Sequence, residues 1–272
     1  MTVAYLRLVR PANAIIAGLV VLVGAWLAGW PDWPLAIIAS LSGALLIAWA
    51  NVDNDILDSE TDRVAHPERP VAKGAIDHRK AWVFSWFLLI PAMALAAFLP
   101  PLSILVFLAA MVITASYNRV LKRFPVISNI AVSLAAALGF LFGGFLGRGI
   151  SGPLWAFVLA FGYHLAREAV KSLQDMGADR VSGRRTIPVA WGERTGLVLA
   201  TAFACLMMAV TPLPFIFGHL GILYLATVLI LVDGVWIGLV AYLWARRNYG
   251  AVSLVAKIDM LAALLALVLG KV

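Results

Sequence analysis

Charged residues are scarce in this sequence: they make up 13% of its 272 residues, while 63% of the residues are hydrophobic. A soluble domain contains roughly 25% charged and 45–50% apolar residues, so this balance excludes an ordinary soluble protein. Cysteine is almost absent. Because Cys205 is the only one, an internal disulfide and a cysteine-based metal cage are excluded. The composition places the chain in a lipid bilayer, and redox chemistry at cysteine is not expected.

Segments of about ten residues with alternating apolar and polar side chains, which transmembrane strands require, are also missing. The sequence contains instead long apolar runs, each near the roughly 20 residues that a helix needs to cross the hydrocarbon core. Backbone polar groups in lipid must be satisfied within the segment, so these runs predict helices. We therefore predict an all-α membrane protein with nine transmembrane helices, near residues 12–30, 34–52, 81–99, 101–117, 126–147, 153–174, 196–213, 220–245 and 252–270.

The basic residues are distributed unevenly between the two sides of the membrane. The formal net charge is +7, but all Lys and Arg except Arg148, Lys257 and Lys271 fall at the N-terminus or in loops after even-numbered spans. Cytoplasmic loops carry such an excess. We expect an integral cell-membrane protein whose N-terminus and active site are cytoplasmic. The positive charge is then a topology signal, and no nucleic acid partner is expected.

Two of the cytoplasmic loops contain most of the acidic residues, and their sequences resemble each other. Asp58-Ser-Glu-Thr-Asp62-Arg63-Val64 and Asp175-Met-Gly-Ala-Asp179-Arg180-Val181 are each followed by Pro-Val-Ala-x-Gly, at 70–74 and 188–192. Four predicted spans separate the copies, so both lie on the same side, as in a parallel repeat. We predict one domain, residues 1–272, built from two four-helix pseudo-repeats and one extra helix, near residues 1–120, 121–245 and 250–272.

The acidic residues have a spacing that favours a shared metal site. Asn54, Asp58 and Asp62 are four residues apart, which puts them on one face of a continuous helix, and Asp175 and Asp179 have the same spacing. Crowded carboxylates repel one another unless a cation lies between them. Oxygen ligands that leave space for phosphates suit Mg²⁺. We interpret these five residues as ligands that clamp a diphosphate through Mg²⁺; the alternative is that they hydrate the surface and pair with neighbouring arginines.

Two longer patterns resemble the UbiA family of prenyltransferases. The first is Asn-Asp-x-x-Asp-x-x-x-Asp at 54–62 followed by Arg-Pro-Val-x-x-Gly at 69–74, and the second is Asp-x-x-x-Asp at 175–179 followed by Thr-Ile-Pro at 186–188. Members of this family bind an isoprenyl diphosphate through Mg²⁺, ionise its allylic C–O bond and let an acceptor capture the cation. The resemblance implies the same activity here, with Mg²⁺ as cofactor and Asn54, Asp58, Asp62, Asp175 and Asp179 as catalytic metal ligands.

Within the family, Tyr5-Leu-Arg-Leu-Val-Arg-Pro-Ala-Asn13 resembles the archaeal-type branch that makes digeranylgeranylglyceryl phosphate. This resemblance implies geranylgeranyl diphosphate as donor and the hydroxyl of geranylgeranylglyceryl phosphate, a lipid, as acceptor. The chain has Ser172 and Gln174 where that branch usually has acids. An aromatic-acceptor enzyme of quinone, tocopherol or chlorophyll biosynthesis is the alternative, because the metal motifs do not separate the two.

Departing diphosphate carries negative charge that nearby cations must stabilise. By resemblance, a family position that contacts diphosphate corresponds to Lys122 and Arg123. Three further candidate cations lie beside the Asp motifs: Arg63, Lys171 and Arg180. Glu168 follows a helical stripe with His164, Lys171 and Asp175. We predict that Glu168 takes the acceptor's proton, with a simple ion pair to Arg167 as the alternative.

Two functions from other classes are disfavoured by the same sequence. A transporter predicts ionisable residues deep in several spans, whereas the acids here gather at the cytoplasmic ends. A CDP-alcohol phosphotransferase also uses Asp and Mg²⁺, but its Asp-Gly-x-x-Ala-Arg pattern is absent from the chain.

Overall fold

The structure is a computed structural model that describes residues 2–29 and 32–271. These residues form helices joined by short turns, with no β-strand among them. The first half contains α1 to α7, which span Thr2–Val9, Pro11–Leu27, Trp33–Leu57, Ser59–Ala65, His78–Ala96, Pro101–Arg119 and Pro125–Gly144. The second half contains α8 to α15, which span Ser151–Gln174, Met176–Val181, Ile187–Trp191, Glu193–Val210, Leu213–Ile216, Ile222–Thr227, Gly234–Arg246 and Tyr249–Leu269.

Local sequence signals account for several helix starts. The Asp32 carboxylate accepts from the backbone N–H of Leu35 at 3.3 Å and caps α3, and the Asp77 carboxylate caps α5 by accepting from Arg79 at 2.9 Å. Helices α2, α6 and α7 each have a proline in the first turn. The backbone N–H that proline lacks would have no partner within the helix at that position. Between α13 and α14, Val228–Asp233 forms a π-helical segment.

Among the described residues, seven helical segments are long and apolar enough to cross a membrane: α3, α5, α6, α7, α11 with α12, α13 with α14, and α15. The pair α1 and α2, bent by 45°, provides up to one more. The prediction of a helical integral membrane protein is confirmed. The predicted span at 153–174 corresponds to α8, which has the length of a span but carries His164, Arg167, Glu168 and Lys171 in its second half.

Helices α2 and α7 lie at the centre of the bundle. Val20 and Phe140 pack into an apolar core with α8, α11 and α13 to α15, whereas Val21 and Phe142 pack into a second core with α3, α5 and α6. The two central helices touch backbone to backbone, because a Cβ added to Gly143 would lie 1.9 Å from the Val21 carbonyl oxygen. Small residues permit this close approach in membrane bundles. Beyond the polar ends of α3 and α8, the short helices α4 and α9 contact each other.

Each Asp motif begins where a long helix ends. Asp58 closes α3 and precedes α4, and Asp175 closes α8 and precedes α9. The backbone bonds continue across both junctions, since the N–H of Asp62 donates to the Asp58 carbonyl and that of Asp179 donates to the Asp175 carbonyl. The hydrogen bonding expected of a helical face therefore continues through each motif, although one helix ends and the next begins at Asp58 and at Asp175.

Candidate active site

Asp58 is the most heavily paired carboxylate of the site. Its residue is 4% exposed, and its Oδ1 lies 2.5 Å from the Lys122 ammonium. The other oxygen, Oδ2, accepts from Arg184 and, at 3.0 Å, from the amide of Asn54. The loop after α9 supplies Arg184, and the short 3₁₀ turn after α6 supplies Lys122. Three separate segments of the chain therefore meet at one carboxylate.

An ion-pair chain also links the end of α3 with α4. Asp62 accepts from Arg69 at 2.6 Å, and Arg69 lies 3.8 Å from Asp55. Asp55, in turn, accepts from Arg10 at 2.6 Å. Because Arg10 stands at the junction of α1 and α2, this chain ties the N-terminal helix and the loop before α5 to the first Asp motif.

The second motif has fewer fixed partners than the first. Asp179 is 6% exposed, and the Arg184 and Thr186 side chains lie near its carboxylate. Asp175 is half-buried and makes no side-chain hydrogen bond or ion pair with any residue in the described part of the chain. Asp175 is therefore the carboxylate most available to a ligand.

The two motifs face each other. Helix α4, which carries Asp62, contacts α9, which carries Asp179. Arg184 is directly bonded to Asp58 of the first motif and is within electrostatic range of Asp179 of the second. The structure thus places Asn54, Asp58, Asp62, Asp179 and Lys122 in one region, with Asp175 at the adjoining helix end.

Burial and charge act differently on the three buried aspartates. Burial acts to raise the pKa of Asp58, but the Arg184 and Lys122 cations outweigh it and hold that pKa below its usual value. Burial raises the pKa of Asp62 in spite of Arg69, and it raises the pKa of Asp179 in spite of Arg184. Asp58 is stabilised as a carboxylate by its own cations, whereas Asp62 and Asp179 would be stabilised by an added one.

Glu168 and Lys171 lie one to two turns above Asp175 on α8. Glu168 is 7% exposed, with its carboxylate 2.8 Å from Arg167 and 3.8 Å from Lys171. The Tyr117 hydroxyl at the end of α6 is within electrostatic range of Lys171 and Glu168 as well as Asp58. Glu168 therefore borders the same polar region as the Asp motifs, and the ion pair that the sequence offered as its alternative role is present.

Three of the predicted diphosphate-binding cations differ from Lys122 in their exposure and pairing. Arg63, Arg123 and Arg180 are exposed, and none of them forms an ion pair within residues 2–29 and 32–271. Ser172 and Gln174 stand where the resembled branch has acids. The Ser172 hydroxyl donates to the backbone carbonyl of Glu168 at 2.9 Å, whereas the Gln174 side chain is exposed. The cationic side of the site is therefore smaller than the sequence predicts and is centred on Lys122.

Sequence reasoning did not assign Arg184, Arg69 or Tyr117 to the diphosphate site. Arg184 and Arg69 each follow an Asp motif by a few residues, and Gly183, with φ of +72°, turns the chain immediately before Arg184. The glycine next to a run of arginines was the available signal for Arg184. Tyr117 gave no such signal, because it is one aromatic residue among many in an apolar helix.

The donors present fit a magnesium ion that binds together with a phosphorylated ligand. Within the described residues, no group of three or more His, Cys, Asp or Glu side chains is arranged to hold a metal by itself. Mg²⁺ does not need such a cage, since it is normally held by one or two carboxylates and by phosphate oxygens. The unpaired Asp175 and the buried Asp62 and Asp179 provide oxygen ligands of that kind on two facing helices.

Comparison with known proteins agrees with this geometry. The model of the UbiA prenyltransferase family matches residues 17–265. The chain belongs to the UbiA prenyltransferase family. Its sequence is 34% identical to the digeranylgeranylglyceryl phosphate synthase of Methanopyrus kandleri over 97% of both chains.

Two solved structures have the same fold. A digeranylgeranylglyceryl phosphate synthase structure aligns with a TM-score of 0.79 and 29% identity, covering 98% of this chain and 97% of the other. A UbiA homolog from Archaeoglobus fulgidus aligns with a TM-score of 0.75 and 21% identity over 96% of this chain and 99% of the other; that structure contains GPP and Mg²⁺. The chain is therefore a prenyltransferase of the UbiA family with the family's membrane fold over nearly its whole length.

Proposed function

We propose that this enzyme transfers a geranylgeranyl-type group from its diphosphate to the hydroxyl of geranylgeranylglyceryl phosphate and releases diphosphate, a step of ether-lipid synthesis. The observation that carries the proposal is the convergence of Lys122 and Arg184 on Asp58, between two facing Asp motifs. The similarity to digeranylgeranylglyceryl phosphate synthases along the whole chain supports the choice of donor and acceptor.

The cations on Asp58 have a direct role in this reaction. When a diphosphate enters, Lys122 and Arg184 can donate to its oxygens while remaining close to Asp58, so the positive charge is already in place where negative charge develops. Asn54, Asp58, Asp62, Asp175 and Asp179 would hold Mg²⁺, which neutralises the leaving diphosphate when bound. Arg63, Arg123 and Arg180, being exposed, are left for weaker contacts at the site's edge.

Glu168 is placed to receive the proton that the acceptor hydroxyl loses. Its carboxylate is buried on α8, with Arg167 and Lys171 beside it. A carboxylate within reach of the acceptor hydroxyl can accept its proton as a general base. Lys171 lies between Glu168 and Asp175 along the helix, so it faces both the acceptor and the leaving diphosphate.

An apolar cavity has a lining that suits an isoprenoid tail. It is lined by residues of α2, α7, α8, α11, α13, the π-helical segment and α15, among them Phe140, Met207, Val232 and Leu264. His164 also lines it and lies one helical turn from Glu168. Ligand cavities are typically apolar with few polar groups. We assign the cavity to the prenyl chain of one of the two substrates.

The finer architecture is part of the same proposal. We infer nine crossings, with the bent pair α1–α2 as the first and the charged α8 as the sixth, in one domain over residues 1–272 with its N-terminus and active site in the cytoplasm. The halves near 1–120 and 121–245 are equivalent repeats, followed by the extra helix at 250–272. The matched helix breaks at Asp58 and Asp175, and the positive φ of both repeat glycines, Gly74 and Gly192, support the repeat.

The proposal is tested by acceptor choice. Purified protein in detergent or nanodiscs would be given geranylgeranyl diphosphate, Mg²⁺ and either geranylgeranylglyceryl phosphate or an aromatic acid such as hydroxybenzoate or homogentisate. We expect product with the glycerophosphate lipid alone. Asp58→Asn and Asp175→Asn should abolish it, while Glu60→Gln, an exposed acid on α4, should not. Transfer to an aromatic ring instead would establish the alternative acceptor class and refute the ether-lipid assignment.

A further inference from the structure

A second group of cations lies apart from Lys122 and Arg184, where α2, α8 and α15 pack together. Its centre is Lys257 of α15, which is half-buried and donates to the side-chain oxygen of Asn13 at 2.9 Å. Lys257 is within electrostatic range of Arg10, Arg167 and Lys171. In the part of the chain that the structure describes, no carboxylate lies within ion-pair distance of Lys257.

The acids near this group do not balance its charge. Glu168 is shared by Arg167 and Lys171, and Asp55 is shared by Arg10 with Arg69. Arg69 also pairs with Asp62, so three carboxylates serve four cations, and Lys257 adds a fifth. A partly buried excess of positive charge is costly unless an anion compensates it.

Two further details indicate that the compensating group is a ligand. The Nε of Arg167 is buried and has no hydrogen-bond partner in the described structure. A buried donor of this kind is rare unless something outside the chain satisfies it. Arg10 has φ of 53°, a left-handed conformation that is unusual for a residue other than glycine and that is held here between α1 and α2. Both residues are within electrostatic range of the Lys257 ammonium.

The position of this cation group relative to the Asp motifs indicates which molecule carries the anion. Arg167, Lys171 and Asp175 are spaced four residues apart on α8, so they lie along one face. The cation group therefore begins one turn from Asp175 and extends away from the diphosphate, past the Glu168 carboxylate. An anion here would be attached to the molecule whose hydroxyl reaches Glu168.

We propose that Lys257, Asn13, Arg167 and Arg10 form a subsite for the phosphate monoester of the acceptor, separate from the diphosphate site at Lys122 and Arg184. This inference rests on the proposed function, since it requires a phosphorylated acceptor. The subsite selects a glycerophosphate lipid over an uncharged alcohol and places its hydroxyl beside Glu168. A phosphate with two negative charges suits a set of one ammonium, two guanidinium groups and an amide.

Lys257→Gln is the most direct test, because no carboxylate loses its partner when this ammonium is removed. With geranylgeranylglyceryl phosphate as the varied substrate, the KM should rise by roughly tenfold to a hundredfold, the value of a charged hydrogen bond. The KM for geranylgeranyl diphosphate should stay within about twofold of wild type. Lys257→Arg should restore most of the acceptor affinity, and Arg246→Gln, an exposed cytoplasmic-end residue, should behave as wild type.

A binding measurement without turnover gives a second readout. A short-chain alkylglyceryl phosphate, added without donor or Mg²⁺, should raise the unfolding temperature of wild type and Arg246→Gln but not of Lys257→Gln, and the corresponding alkylglycerol should raise none of them. If wild type uses the phosphorylated acceptor and Lys257→Gln has the same KM and the same thermal shift, the subsite is refuted while the proposed function stands. If wild type makes no ether product with the phosphorylated acceptor, the proposed function fails and the subsite fails with it.

Discussion

Arg184, in the loop after the second Asp motif, donates a hydrogen bond to Asp58 of the first motif, 126 residues earlier in the chain. This pair joins the two halves of the protein at the point where Lys122 also binds. The first motif therefore depends on the segment after the second motif for its charge balance, and we expect a diphosphate that enters between the motifs to meet cations from two separate segments, Lys122 and Arg184.

Removing Arg184 should damage catalysis far more than removing its neighbour. Arg184→Gln takes away a guanidinium poised for the leaving diphosphate, and loss of one such donor typically lowers the rate by roughly 100-fold or more. Arg185→Gln alters an exposed side chain and should leave kcat/KM within about threefold of wild type. Steady-state assays on both proteins, with unfolding temperatures measured in parallel, check this. Equal activities would show that the Arg184–Asp58 bond does not contribute to turnover.

Lys122 and Arg123 are also adjacent in the chain, and we expect their substitution to have very different effects on activity. Both match the family position that contacts diphosphate, but only Lys122 is turned inward to Asp58, while Arg123 is exposed. Lys122→Gln should raise the KM for the prenyl diphosphate and lower kcat, together by roughly 100-fold in kcat/KM. Arg123→Gln should change it by less than about threefold. A large loss in Arg123→Gln with little change in Lys122→Gln would reverse the assignment.

The different exposure of Lys122 and Arg123 could not be predicted from the sequence, whereas other features of the site could. The helical spacing of Asn54, Asp58 and Asp62 is a local property, so it predicts their common face, and the length of the apolar runs predicts the helical membrane fold. The 3₁₀ turn at Leu121–Arg123 decides which of two adjacent cations faces the site, and a hydropathy pattern contains no information on that turn. Arg184 reaches Asp58 through tertiary packing of α4 against α9, which only coordinates can establish.

Magnesium should bind weakly alone and strongly together with diphosphate. No three-acid cage exists among the described residues, so phosphate oxygens must complete the coordination. We expect Mg²⁺ or inorganic diphosphate added separately to shift the unfolding temperature little, and the two together to raise it by about 5 °C near saturation. Asp175→Asn should remove this joint effect and Glu60→Gln should retain it. A full shift with Mg²⁺ alone would contradict the proposed mode of binding.

The contact between α2 and α7 should be intolerant of even one added methyl group. A Cβ on Gly143 would lie 1.9 Å from the Val21 carbonyl oxygen, and one on Gly24 would lie 2.2 Å from the Phe140 carbonyl oxygen, so the helices would have to separate. Forcing extra volume into a packed core costs about 1–3 kcal/mol, and more where the neighbour is backbone. Gly143→Ala should therefore lower the unfolding temperature in detergent by several degrees.

Gly238 provides the matched control for Gly143. It lies within α14, and a Cβ added there would meet nothing within 4 Å. Gly238→Ala should be neutral or slightly stabilising, because alanine favours the helix over glycine by about 1 kcal/mol. Since α2 and α7 contribute to both apolar cores, separating these helices should also loosen the packing of α3 and α8, which lead into the two Asp motifs. Gly143→Ala should thus lose prenyl transfer at temperatures where Gly238→Ala keeps it, and equal stability of the two variants would show that the helices do not touch as closely as the structure has them.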